Sequence, residues 1–198
     1  MGKRTDNGNG LSFHSKKKFK FNIAVFYDIL SWVLGIAAAV FLAFMAVMLY
    51  GIRTKNVGSS MEPLLCNGQD VLIDKVSYSI SSPKRGDVIV FLPNGNLNTH
   101  FYIKRIVGMP GESVQIRDGK VFINDEPYMG DVADDTRDAG IAADEIVLEN
   151  DEYFVLGDNR SNSEDSRSAN IGNVKMSTIE GKVWLRLRFG SYDTERIK

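Results

Sequence analysis

The chain opens polar and basic, turns uninterruptedly apolar, and then breaks into short alternating runs. From Ile29 to Ile52 it carries no charged residue. As a helix this stretch spans about 36 Å, enough to cross a ~30 Å hydrocarbon core with some tilt. Tyr27 and Trp32 near one end and Tyr50 near the other suit the two interfaces. A cleaved leader would have an apolar region of only ~7–15 residues, so the run reads as a retained anchor. Lys3, Arg4, Lys16, Lys17, Lys18 and Lys20 precede it, against Asp6, and Arg53 and Lys55 follow. This bias places the N-terminus in the cytoplasm and the rest of the chain outside. The expected organisation is a basic tail over 1–22, a membrane anchor over 23–52 and one extracytoplasmic domain over 53–198.

Beyond Arg53 the pattern changes to strand-length runs between turn signals. Asp70–Asp74, Asp87–Leu92, Tyr102–Val107, Ser113–Arg117, Lys120–Ile123, Glu152–Leu156 and Lys182–Phe189 read as strands. Asp118-Gly119 between two of them is a hairpin signal. Pro93-Asn94-Gly95-Asn96, Gly111-Glu112 and Gly157-Asp158-Asn159 read as turns. Met61–Cys66 is expected to open a short helix with Ser59 or Ser60 near its start. Gly130–Asp144, polar and acidic, reads as a surface loop. The pattern predicts a mainly β domain, either a small antiparallel barrel or two packed sheets.

Composition narrows the partners. The 198 residues carry a net charge of −1, so no strong nucleic-acid field is expected. The Lys16–Lys20 cluster abuts the anchor, which fits lipid headgroups of the bilayer better than a nucleic acid. Met1–Ser15, rich in Gly, Asn and Ser, reads as disordered. A single cysteine, Cys66, excludes an internal disulfide. No His/Cys spacing suggests a metal, and no cofactor motif is present.

Few residues are left to carry chemistry. Of the two histidines, His14 lies on the cytoplasmic side of the anchor and His100 reads as a solvated loop residue. Cys66 reads as a small packed residue. Asp134-Asp135 and Glu149–Glu152 read as solvated faces. Ser60, in Gly58-Ser59-Ser60-Met61-Glu62-Pro63, falls a few residues past the membrane edge. Lys104 stands inside the apolar strand Phe101-Tyr102-Ile103-Lys104-Arg105-Ile106-Val107. Strict alternation puts it on one face with Tyr102 and Ile106. Burial there lowers its pKa and frees a lone pair that can take a proton from a serine. The bland alternative is a lysine that snorkels to water. Lys75 competes as a base, but Tyr78, Ser79 and Ser81-Ser82 nearby read as a surface turn.

These residues carry a resemblance. Ser60-Met61-Glu62-Pro63, Asp70-Val71-Leu72-Ile73, Lys104-Arg105-Ile106-Val107-Gly108-Met109-Pro110-Gly111 and the run Gly157–Arg167 resemble, in order, the sequence boxes of type I signal peptidases. The single anchor and small insertion resemble the Gram-positive bacterial branch. Lysine at 104 resembles the bacterial form, since the endoplasmic-reticulum form has histidine there. The resemblance implies a domain of coiled antiparallel sheets, with Ser60 as nucleophile and Lys104 as general base. It also implies that Ser163 hydrogen-bonds and aims the lysine amine, with Asp158, Arg105, Asp165 and Arg167 as supports. The substrates it implies are secretory preproteins with small residues at the first and third positions before the cut.

The chain departs from the pattern in two places. Leu64 stands where many members carry threonine. Gly58 stands where some carry a serine whose hydroxyl helps bind the oxyanion, which leaves backbone donors, Ser60 N–H among them, and Ser59. Two other readings share the residues: a LexA-like Ser/Lys autoprotease, and a membrane-tethered β-domain that binds peptides without cutting them.

Overall fold

The computed structural model describes residues 23–50, 52–96, 100–130, 136 and 138–197. The basic tail, its predicted disorder, His14 and Asp134-Asp135 lie outside the described residues. Helix α1, Ile23–Tyr50, runs 28 residues, about 42 Å at 1.5 Å per residue. Its segment Ile23–Val47 is long and apolar enough to cross a membrane. The chain divides into two compact units between Leu42 and Ala43, within this helix.

The second unit is mainly β. Its strands are β1 (Ile52–Lys55), β2 (Asp70–Asp74), β3 (Val88–Phe91), β4 (Tyr102–Gly108), β5 (Ser113–Arg117), β6 (Lys120–Ile123), β7 (Glu126–Pro127), β8 (Ile146–Val147), β9 (Glu152–Leu156), β10 (Val174–Lys175), β11 (Ile179–Arg186) and β12 (Glu195–Arg196). A short helix α2, Ser77–Ile80, follows β2. An eight-stranded antiparallel sheet runs β1-β2-β11-β3-β4-β9-β10, with β12 also on β11. A four-stranded one runs β7-β6-β5-β8. Irregularities at Val183/Leu185, Ile179/Gly181 and Ile106/Gly108 bend the larger sheet, as bulges do.

Strand β4 is where the hydrophobic cores meet. Its Ile103 joins Met61, Leu65, Val71, Ile73, Val88 and Val90 in one cluster. Val107 joins Val114, Leu148, Phe154 and Leu156 in a second. Ile106 joins Ile89, Phe91 and Val155 in a third. A strand covered on both faces reads as a nearly continuous apolar run, and Ile103–Val107 does so apart from Lys104 and Arg105. On one side β4 pairs with β3 from Tyr102 to Arg105. On the other, β9 pairs with it only from Arg105 onward. Among the described residues the β4 edge opposite β3 is therefore unpaired over Tyr102–Lys104.

Most predicted strands lie where the pattern puts them, and the Asp118-Gly119 hairpin has both residues at positive φ, 50° and 76°. Three expectations differ. Met61–Cys66 is a turn and no helix: Leu65 N–H reaches Met61 O (2.8 Å), and Pro63, without an N–H, cannot extend the ladder. The last long strand starts at Ile179 and not Lys182, because a bulge at Gly181 hides its first half from a period-2 reading. The loop over 130–144 contributes a turn of 3-10 helix, Gly140–Ala143, whose Ala142 is fully buried in the second cluster.

Gly108 shows how tightly β4 is enclosed. A Cβ there would lie 2.6 Å from Val114 Cγ2, 2.8 Å from Leu148 Cδ1 and 2.9 Å from Phe154 Cβ. Overpacking of this kind costs about 1–3 kcal/mol. Gly108→Ala is expected to lower the urea midpoint accordingly; an unchanged midpoint would show that the second cluster yields freely.

Candidate active site

Strand β1 delivers the chain into a tight turn that presents Ser60. Asn56, 1% exposed, fixes the turn from inside. Its Nδ2 donates to the carbonyls of Gly58 (3.2 Å), Leu65 (3.2 Å) and Cys66 (3.0 Å). Gly58 adopts φ +89°, a conformation strained for any residue with a Cβ, and its N–H donates to Asn67 Oδ1 at 2.9 Å. Met61 and Leu65, both fully buried, anchor the far side. Ser60 is left 9% exposed, and among the described residues its N–H has no hydrogen-bond partner.

Lys104 arrives from β4, opposite Ile89 of β3. The residue is 3% exposed, and its Nζ is hydrogen-bonded to Ser60 Oγ at 2.7 Å. The Tyr102 ring lies beside it, 5.3 Å from Nζ to the centroid, so the two share a face as alternation predicts. Burial lowers the Lys104 pKa to about 8. Asp165, Glu164 and Asp158 pull the other way, while Arg167 adds to the lowering. His100 is exposed and stacks on Tyr102 at 5.0 Å. Lys75 pairs with Glu180 at the surface. Cys66 is half-buried, its backbone N–H on Gln69 Oε1.

A network of buried charges surrounds the pair. Asp165, 0% exposed, accepts from Arg167 Nε (2.8 Å) and Nη2 (2.9 Å), Ser163 Oγ (2.7 Å) and Gly157 N–H (3.0 Å). Ser163 thus donates to Asp165, and among the described residues Lys104 Nζ hydrogen-bonds Ser60 alone. Arg105 grips Asp158 through Nε and Nη2, both at 2.7 Å, and donates Nη1 to Gly86 O. Arg167 continues to the carbonyls of Asp138 and Arg160. The fold therefore brings Ser59, Ser60, Lys104, Arg105, Asp158, Ser163, Asp165 and Arg167 into connected surroundings.

The sequence reading assigned no role to Gly157, Asn159 or Asn162. A Cβ on Gly157 would fall 2.2 Å from Ser163 Oγ and 2.5 Å from Ser60 O, so only glycine lets these two segments meet. Asn159 N–H donates to Ser60 O (3.0 Å) and its Nδ2 to Ser59 O (3.2 Å). Asn162 Nδ2 donates to Ser59 Oγ at 2.7 Å. The density of Asn and Ser over 157–163 was the available signal, and it reads equally well as an ordinary turn. Among the described residues, no group of three or more His, Cys, Asp or Glu side chains could hold a metal ion.

A serine hydrogen-bonded to a buried, deprotonatable lysine is the arrangement of an activated nucleophile. A model of the family "Signal peptidase, peptidase S26" matches residues 29–188. A probable signal peptidase I-2 of Synechocystis is 41% identical over 71% of this chain and 67% of its own length. Signal peptidase I T of Bacillus subtilis is 34% identical over 77% of this chain and 81% of its own. Signal peptidase IB of Staphylococcus aureus is 34% identical over 80% and 89%. A crystal structure of a signal peptidase I from Enterococcus faecalis is 31% identical, covering 52% of this chain and 98% of that one, with a TM-score of 0.42. With its family match spanning the boxes from the Ser60 turn through Arg167, the chain belongs to the signal peptidases of peptidase family S26.

Proposed function

We propose that this protein removes N-terminal signal peptides from secreted preproteins, with Ser60 as nucleophile and Lys104 as general base. The observation that carries the reading is the 2.7 Å contact between the Ser60 hydroxyl and the amine of Lys104, a residue only 3% exposed. Neutral Lys104 takes the hydroxyl proton as Oγ attacks the scissile carbonyl carbon. Ser60 N–H is the first oxyanion donor. Ser59 supplies a second, because its oxygen accepts from Asn162 while its own proton remains to donate. Gly58 N–H, committed to Asn67, does not take part. Lys104 returns the proton to the leaving amine, and an acyl-enzyme forms. Lys104 Nζ then takes a proton from water, whose oxygen attacks the ester carbonyl; as the acyl–Oγ bond breaks, Lys104 returns that proton to Ser60 Oγ and the leader leaves as an acid.

Ser163, Asp165, Arg167, Arg105 and Asp158 act as positioning residues in this scheme. Asp165 holds Ser163 and Gly157 where they flank the pair. The substrate lies as an added strand on the unpaired edge of β4 over Tyr102–Lys104. The tail 1–22 faces the cytoplasm, α1 anchors the chain in the bilayer, and the domain over 53–198 is extracytoplasmic. Protease added outside spheroplasts should digest the domain and spare Lys3–Lys20; the reverse would overturn this orientation.

Ser60→Ala is expected to keep the fold and lose about 10³-fold or more in preprotein cleavage. Lys104→Arg is expected to be as inactive as Lys104→Ala, because arginine keeps the charge but does not deprotonate in proteins. Substantial cleavage by purified Ser60→Ala would remove the nucleophile, and an active Arg variant would remove the base.

Strand addition also fixes specificity. Side chains alternate, so the first and third residues before the cut face the enzyme and the second faces away. A leader ending Ala-x-Ala should be cut, bulky residues at the first or third position should block cleavage, and the second should tolerate change. Equal tolerance at all three, or cleavage only within the chain itself, would favour the autoprotease reading. Tight binding of the peptide without any cleavage would favour the peptide-binding one.

A further inference from the structure

The family match ends at residue 188, yet the chain beyond it returns beneath the nucleophile turn. Phe189 and Tyr192 exchange backbone hydrogen bonds, both 3.0 Å, and close a tight reversal. β12 then pairs with β11, Glu195 opposite Arg186 and Arg196 opposite Leu185. Ile197 follows, 5% exposed, and enters the hydrophobic cluster that contains Met61 and Leu65. These are the two residues that anchor the Ser60 turn.

Arg186 links this hairpin to that turn. Its Nη1 donates to Leu64 O at 2.7 Å, and its Nη2 pairs with Glu195. The Tyr192 ring lies 5.7 Å from the guanidinium carbon. A second tie runs parallel: Gln69, fully buried, donates Nε2 to Leu187 O (2.8 Å) and accepts Cys66 N–H through Oε1 (3.0 Å). The carbonyl of Leu64 belongs to the turn that also holds Ser60 and Met61. Its hydrogen bond to a charged donor is of the stronger kind, and it fixes the turn against β11. Arg186 Nε, buried, has no partner among the described residues. A residue kept only to fill this space would cost less as an apolar side chain.

We propose that Arg186 and the hairpin Phe189–Ile197 are positioning elements of the active site, holding the Ser60 turn in register with Lys104. The proposal rests on Ser60 being the nucleophile. A 1 Å displacement of a reacting group can cost about 10²-fold, so modest loosening of the turn should be visible in the rate.

The test uses the full-length protein and an Ala-x-Ala leader peptide, with Ser60→Ala alongside. Arg186→Met is expected to lower kcat about tenfold with KM within about twofold, while still folded by circular dichroism. Arg186→Lys, which keeps a cationic donor for Leu64 O, should recover most of that loss. The exchange Arg186→Glu with Glu195→Arg restores the ion pair but supplies no donor to Leu64, so it should recover thermal stability and leave kcat low. If the exchange recovers kcat together with stability, the hairpin is only a stabilising clasp and the proposal fails. An Arg186→Met enzyme with unchanged kcat would end it as well. Should Arg186→Met not fold, the contrast between Arg186→Lys and the exchange decides the matter alone. Residual cleavage by Ser60→Ala would instead indict the serine assignment, whatever Arg186 does.

Discussion

An ammonium group does not belong where Lys104 sits, and the proposed chemistry depends on that. The residue is 3% exposed, on a strand shared by three hydrophobic clusters. Burial takes its pKa from 10.5 to about 8. At about 1.4 kcal/mol per unit, protonating it there costs the folded state roughly 3 kcal/mol. The sign follows from proton counting. Below about pH 8 both folded and unfolded chains hold the proton, and the cost is present in full. Between about 8 and the lysine reference of ~10.4 the unfolded chain binds more protons, so this contribution to stability rises with pH. The clusters around β4 offset that cost and keep water from the amine.

The charges nearby are arranged so as not to undo the burial. Asp165 would favour the ammonium form, but its carboxylate is held by Arg167 and shared with Ser163 and Gly157 N–H. Arg105 grips Asp158 in the same bidentate manner. Deleting one partner of such buried pairs typically costs 3–5 kcal/mol, because the other is left uncompensated. In this view the pairs work on shape: they fold the 157–167 segment so that Gly157 can press against Ser60 and Ser163.

What could be read from the chain was what local chemistry dictates. Strand β4 announced itself because its apolar run is interrupted at Lys104, and the Asp118-Gly119 turn because only certain residues tolerate positive φ. Ser60 and Lys104 stood out as a serine past a membrane edge and a lysine inside an apolar strand. Harder to see was everything created by long-range contact. Gly157 looks like any turn glycine until Ser60 O is brought to its Cα. The two-residue strands β7, β8, β10 and β12 have no periodicity of their own and exist because a neighbour pairs with them. Met61–Cys66 resembled a helix start, yet Pro63 and the ties from Asn56 hold it as a turn. The role proposed for Arg186 depends on a carbonyl more than a hundred residues away in sequence.

The central claim is that burial lowers the Lys104 pKa far enough for a neutral amine to be populated near neutral pH. Its titration can be observed directly by NMR of lysines labelled at Cε, with the Lys104 resonance identified by its loss in Lys104→Arg. The account predicts a midpoint near 8. A midpoint at the ~10.4 of free lysine would contradict it, since the amine would then be a solvated cation and could not serve as the base.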